Sequence, residues 1–259
     1  MVNDINVTLV QTPLHWQDAA ANRQLLAEKL SRLEAPTDLI VLPEMFTTGF
    51  SMAAPQLAET MSGPTLSWLA KQAHKLQSVI TGSLIIADQG RYFNRLIWMR
   101  PDGSYAQYDK RHLFRMAGER HTFSPGQHRL LVELKGWRIC PLVCYDLRFP
   151  VWSRNREPAY DLLLYVANWP EKRSLAWKTL LQARAIENLA YVVGVNRTGE
   201  DGKGICYAGD SLVLAPDGDI RYHQNHKEMI KTIRLERQLL DDFRASFPAH
   251  LDADPFQLG

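Results

Sequence analysis

No stretch of this 259-residue chain approaches the ~20 uninterrupted apolar residues of a membrane span, so no membrane partner is expected. Cysteine is scarce. Three residues, an odd number, make no disulfide framework, and a reducing cytoplasm is the expected compartment. The opening residues, Met1-Val2-Asn3-Asp4-Ile5-Asn6-Val7, lack the basic stretch and apolar core of a secretory signal. An excess of charge is missing too. Thirty Lys and Arg against twenty-eight Asp and Glu leave a net +2, scattered without runs, too little to argue for nucleic acid or an anionic surface. Cys140 and Cys144 lie four apart, but no second Cys or His pair completes a four-ligand zinc set, so no metal is expected. His223 and His226 have no carboxylate cluster beside them and are expected at the surface. The absence of a Gly-x-Ser-x-Gly elbow argues against an α/β-hydrolase.

Linkers and low-complexity segments are absent as well, which leaves a single domain over 1–259, with a core of about 4–235 and a polar C-terminal tail. Apolar patterning predicts strands at Val7–Gln11, Asp38–Leu42, Val79–Ile86, Tyr92–Met99, Leu130–Leu134, Trp137–Val143, Leu162–Val166, Tyr191–Val195, Cys206–Leu214 and Met229–Leu235. Helices are predicted from an Asp18 cap through Leu33, from Ser62-Gly63-Pro64 through Leu76, and over Ser174–Ala190. Two Pro-Asp-Gly turns, at 101–103 and 216–218, signal hairpins. Strand–helix–strand units interleaved with hairpins point to a layered α/β fold with mixed sheets.

Three segments place a reactive side chain just beyond a strand-like run: Leu42-Pro43-Glu44, Tyr108-Asp109-Lys110, and Val143-Cys144-Tyr145-Asp146. In open α/β sheets functional groups gather beyond the carboxyl ends of strands, so the three could share one cleft. A thiol with an ordinary pKa of about 8.5 is mostly protonated at neutral pH and needs a base. Glu44 serves if partial burial raises its pKa. Attack on an amide carbon makes an oxyanion, for which Lys110 supplies a fixed charge and the Tyr145 backbone N–H a second donor. Taken singly, each residue has an ordinary explanation: a core cysteine, a surface carboxylate, a solvated lysine. Their joint occurrence carries the argument. A Cys-His hydrolase using His112 is the alternative, and it leaves Glu44 and Lys110 without roles.

These segments, with Gln182-Ala183-Arg184-Ala185-Ile186-Glu187-Asn188 and Asn196-Arg197-Thr198-Gly199, resemble the nitrilase, or carbon–nitrogen hydrolase, superfamily from about Val7 to Leu235. The resemblance implies a four-layer α-β-β-α sandwich, a homodimer paired across a helical face, no cofactor, and a Glu44, Lys110 and Cys144 triad as base, oxyanion stabiliser and nucleophile. Family members also carry a second pocket glutamate, for which Glu119 is the candidate. True nitrilases tend to have Cys-Trp-Glu at the nucleophile. Cys144-Tyr145-Asp146 favours an amidase, most similar to bacterial omega-amidases acting on 2-oxoglutaramate or 2-oxosuccinamate. Deaminated glutathione amidase, N-carbamoyl amino acid hydrolase and a catalytically silent binding member are the alternatives. The carboxylate of such a small-molecule amide asks for a cation. Arg173 is the candidate, with Tyr145 and Trp169 lining the pocket, whereas Arg148 and Asp146 are expected to be structural.

Overall fold

Strand β1 (Ile5–Gln11) is buried at six of its seven positions, as a strand covered on both faces must be. In the computed structural model, which describes residues 3–156 and 158–254, it sits inside the first of two sheets. It pairs in parallel with β2 (Leu39–Val41), which pairs in parallel with β3 (Val79–Asp88). Strands β4 (Arg91–Met99) and β5 (Tyr105–Asp109) follow antiparallel, the second across the Pro101-Asp102-Gly103 turn. The second sheet is built from β6 (Val132–Leu134), β7 (Trp137–Val143), β8 (Leu162–Ala167), β9 (Tyr191–Asn196), β10 (Thr198–Glu200), β11 (Cys206–Leu214) and β12 (Ile220–Asn225). Its order is β10-β11-β9-β8-β7-β6, with β12 on β11 across the second Pro-Asp-Gly turn. Strand β13 (Met229–Leu235) returns to close the edge of the first sheet against β1.

Helix α1 (Ala19–Leu30) starts where the sequence predicts: Asp18 Oδ1 accepts the Ala21 N–H at 2.9 Å. A single turn, α2 (Ala54–Leu57), precedes α3 (Pro64–Leu76), whose proline fills the first helical position. Leu26 and Leu30 of α1 and Leu66, Leu69 and Ala73 of α3 pack on Ile40, Ile80 and Ile97 of the first sheet. Short turns α4 (Glu119–Thr122) and α5 (Pro150–Ser153) lie in loops, and α6 (Ser174–Asn188) covers the second sheet with Trp177, Leu181 and Ala185. The fit there is close: a Cβ at Gly194 would stand 2.5 Å from Leu181 Cδ1. Between the sheets, Val7, Leu9, Val41 and Trp98 share a core with Ile139, Leu164 and Val193. Each such fully buried aliphatic side chain contributes roughly 1.5–3 kcal/mol. The layers therefore run α-β-β-α, as the resemblance implies.

One expectation fails. The segment after Leu235 is no mere polar tail, because α7 (Arg237–Ser246) docks there with Leu240 fully buried. Asp161, 1% exposed at its side chain, holds Arg237 at 3.2 Å and Arg244 at 2.8 Å. The ordered unit thus extends past residue 235, and residues 255–259 lie outside the described part.

Candidate active site

All three predicted segments end at one side of the two sheets. Cys144 follows the last residue of β7 and opens a tight turn, Cys144–Arg148, with φ +44°. Met45, directly after Glu44, is also left-handed at φ +42°. Non-glycine residues rarely adopt this region, and such strain clusters at functional positions. The turn is held from below by the Gln182–Asn188 helical motif: the buried Arg184 donates from Nη2 to the Leu147 carbonyl at 2.7 Å. It is held from within by Asp146, whose carboxylate accepts from the Val143 N–H, the Tyr108 hydroxyl and the His112 N–H. Asp146 is structural, as expected.

Lys110 leaves β5 with its N–H on the Asn94 carbonyl at 3.0 Å and its own carbonyl receiving the Gly126 N–H at 3.0 Å. Only glycine fits at 126, since a Cβ would lie 2.0 Å from the Asp109 oxygen. The lysine Nζ donates to Glu44 Oε1 at 2.9 Å and to Glu119 Oε1 and Oε2 at 3.0 and 2.9 Å. All three side chains are wholly buried. Glu44 also accepts Asn94 Nδ2 on Oε1 and the Asn168 N–H on Oε2, both at 2.8 Å. Glu119 Oε2 accepts the Phe114 N–H at 2.6 Å.

The electrostatics follow from this crowding. Burial alone would lower the Lys110 pKa, but Glu119 and Glu44 outweigh it and hold the ammonium charged. Burial raises the Glu119 carboxyl, opposed by Lys110 and reinforced by Glu44. Burial and then the Glu44 carboxylate push the Cys144 thiol well above its ordinary value, against the pull of Lys110. The sulfur therefore rests as a thiol, with a carboxylate on hand to take its proton and an ammonium on hand to compensate charge. The first N–H groups of a helical turn lack partners within it, which leaves the Tyr145 N–H available to a bound group.

Above Cys144 lies a cavity of about 300 Å³, in the size range of small-ligand sites. Tyr145, Trp169 and Arg173, the predicted substrate-side residues, all line it. Trp169 is fixed by Asn196, which accepts its N–H at 2.8 Å and donates to its carbonyl at 2.9 Å. Arg148, read from the sequence as structural, instead lines the cavity with its guanidinium 5.1 Å from the centre of the Trp169 ring. Arg173 lies over Phe114 at 5.2 Å, and Lys203 over Trp16 at 5.7 Å. Asp201 is also at the wall, but its oxygens are taken by the Lys203 and Ile205 N–H groups and the Tyr207 hydroxyl. The mouth is therefore ringed by cations without a free acid. Sequence reasoning missed Asn94, which stands with Arg95 between Phe93 and the apolar run Leu96-Ile97-Trp98-Met99. It gave no sign of Phe50, Lys203 or Tyr207. Among the described residues there is no His, Cys, Asp and Glu group arranged to hold a metal.

Comparison with known proteins agrees with this architecture. The sequence model of the family described as carbon-nitrogen hydrolase matches residues 6–244. The chain is 47% identical to the omega-amidase YafV of Escherichia coli (strain K12) over 257 residues, 98% of both chains. It is 33% identical to the 2-oxoglutaramate amidase of Bacillus subtilis, over 83% of this chain and 84% of that one. Among solved structures it is similar to XC1258 of Xanthomonas campestris, a CN-hydrolase superfamily protein with an arsenic adduct in its active site. That similarity reaches a TM-score of 0.97 at 48% identity over 99% of each chain.

Proposed function

The chain belongs to the carbon–nitrogen hydrolase family, and from that membership we propose that it is an omega-amidase working through a thioester on Cys144. It hydrolyses the terminal amide of 2-oxo-acid amides such as 2-oxoglutaramate and 2-oxosuccinamate, releasing ammonia and the dicarboxylate. Full-length similarity to omega-amidases supports the activity. The observation that carries the mechanism is the closed Glu44–Lys110–Glu119 cluster beside a thiol at the base of a cation-rimmed cavity.

In this mechanism Glu44 takes the Cys144 proton as the sulfur attacks the amide carbon, and the carbonyl electron pair moves to oxygen. Lys110 and the Tyr145 N–H hold that oxyanion; loss of one such donor typically costs ~10²–10³ in rate. Collapse breaks the C–N bond, and the nitrogen takes the proton from Glu44 to leave as ammonia. Water then gives a proton to Glu44 and attacks the thioester, and the departing sulfur regains the proton. Glu119 keeps Lys110 charged and in place. At the mouth, Arg148 and Arg173 have no ion-pair partner among the described residues, so either guanidinium is free to take the substrate carboxylate.

The same reading makes the protein a cytoplasmic homodimer. Leu175 and Ile186 stand 78% and 51% exposed on the outer face of α6, a surface suited to a second copy. A panel of 2-oxoglutaramate, 2-oxosuccinamate, deaminated glutathione, N-carbamoyl amino acids and simple nitriles tests the assignment. The 2-oxo-acid amides are expected to give the highest kcat/KM. A higher value for deaminated glutathione or a carbamoyl amino acid would reassign the substrate, and no turnover of any would remove the enzymatic reading.

A further inference from the structure

Asn168 occupies the first position after β8, beside the Cys144 turn, since Val143 and Val166 are paired in the adjacent strands. It grips Glu44 twice. Its backbone N–H donates to Glu44 Oε2 at 2.8 Å, and its Nδ2 donates to the Glu44 carbonyl at 2.6 Å. Because a carbonyl can only accept, the amide orientation of Asn168 is settled, and the remaining atom is Oδ1. That oxygen is buried and has no hydrogen-bond partner among the described residues.

A buried carbonyl left unpaired costs free energy, so each exception calls for a reason. Asn168 forms part of the cavity wall together with Lys110 and Cys144. Asn94, the other asparagine at this cluster, also leaves its Oδ1 unpaired, but it does not reach the cavity wall. The carboxylates nearby are occupied. Glu119 accepts from Lys110, Asn94 and the Phe114 N–H, and Asp201 from two backbone N–H groups and Tyr207.

The chemistry of amide cleavage supplies what this oxygen lacks. A primary carboxamide brings two N–H groups to the site, and once the C–N bond breaks with proton transfer from Glu44 the departing ammonia carries three. We propose that Asn168 Oδ1 accepts an N–H of the scissile carboxamide, and afterwards an O–H of the water that attacks the thioester. Asn168 is then a catalytic residue that selects an unsubstituted amide over leaving groups with no N–H to offer. This rests on the assignment of amide hydrolysis to the site.

The test compares 2-oxoglutaramate with the corresponding 5-methyl ester in wild type, Asn168→Ala and Asn168→Asp. Both substrates need the same thiol, base and oxyanion donors, and they differ in the leaving group. Any misfolded fraction lowers both rates and cancels in their ratio. A displaced Glu44 would lower the amide rate more, because ammonia needs its proton to leave; Asn168→Asp loses the same Nδ2 bond to Glu44 and so controls for that displacement. Asn168→Ala is expected to cut the amide-to-ester ratio of acylation rates about tenfold, the worth of a net hydrogen bond. Asn168→Asp restores an acceptor and is expected to return most of that ratio, even with both rates reduced. A wild-type ratio in Asn168→Ala, or the same loss of ratio in Asn168→Asp, would overturn the proposal and leave Asn168 as a support for Glu44 alone. Wild-type protein inactive on every amide would instead remove the amidase assignment on which it rests.

Discussion

Cys140 and Cys144 lie four residues apart on one segment, 0% and 8% exposed, and burial raises the pKa of both thiols. Cys140 is pushed up to about 12. By acidity alone neither is a nucleophile. What separates them is the neighbourhood. Cys140 sits mid-strand in β7, paired in register with Leu163. Arg129 lowers its pKa and Asp146 raises it, but the Asp146 oxygens are already held by the Tyr108 hydroxyl and the His112 and Val143 N–H groups. Cys144 stands one step past the strand end, at a left-handed turn, with Glu44 raising its pKa and Lys110 lowering it. A reactive thiol in this fold is therefore marked by a base within reach and a compensating cation, rather than by a depressed pKa. The carboxylate that penalises the thiolate is the one that removes its proton during attack.

The largest expected effect tests that contrast directly. Cys144→Ala should lose at least ~10³ in kcat and Lys110→Met ~10²–10³, since nucleophile and oxyanion charge act in the transition state. Cys140→Ala should keep its turnover within about twofold, because nothing in the argument gives its sulfur chemistry. Circular dichroism and thermal melting on the same samples check that Lys110→Met remains folded. If Cys140→Ala were as inactive as Cys144→Ala, the distinction between the two sulfurs would collapse.

A smaller effect belongs to the mouth. Arg148→Gln and Arg173→Gln should raise KM for 2-oxoglutaramate about tenfold to a hundredfold with kcat nearly kept, as a charge-assisted hydrogen bond to carboxylate warrants. Glutamine adds an ammonium group to the same carboxylate end. With Asp201 engaged and three cations at the rim, it should be the poorer substrate in steady-state assays of ammonia release. Equal KM values for substrates with and without the carboxylate would take this role away from both arginines. The smallest effect is on stability: Cys140→Ala should cost about 1 kcal/mol in denaturant unfolding, the scale of a small deletion in a packed core.

Much of this was legible before the structure because it depends on local pattern. Trp137–Val143, Cys206–Leu214 and Met229–Leu235 are bounded as the apolar runs and turns predict. The positions of Glu44, Lys110 and Cys144 just beyond strand ends follow from the same patterning. The helix Arg237–Ser246 was hidden because it is mostly polar and buries only Leu240. Its place depends on Asp161, 76 and 83 residues away from its arginine partners. Arg148 was misplaced for a similar reason: spacing from Asp146 locates it in the turn, but only the approach of Trp169 from the next strand shows that it reaches the cavity. Asn94 and Asn168 grip Glu44 from different sheets, and a single sequence carries no record of such contacts.

The central claim is that Cys144 carries the acyl group and that Glu44, by taking the thiol proton, lets it form. Acid-quenched intact-protein mass spectrometry during turnover of 2-oxoglutaramate, followed by peptide mapping, tests it most directly. The account predicts an acyl adduct on Cys144 in wild type, none on Cys140, and none at all in Glu44→Gln. An adduct on Cys140, or one forming at the wild-type rate in Glu44→Gln, would contradict it.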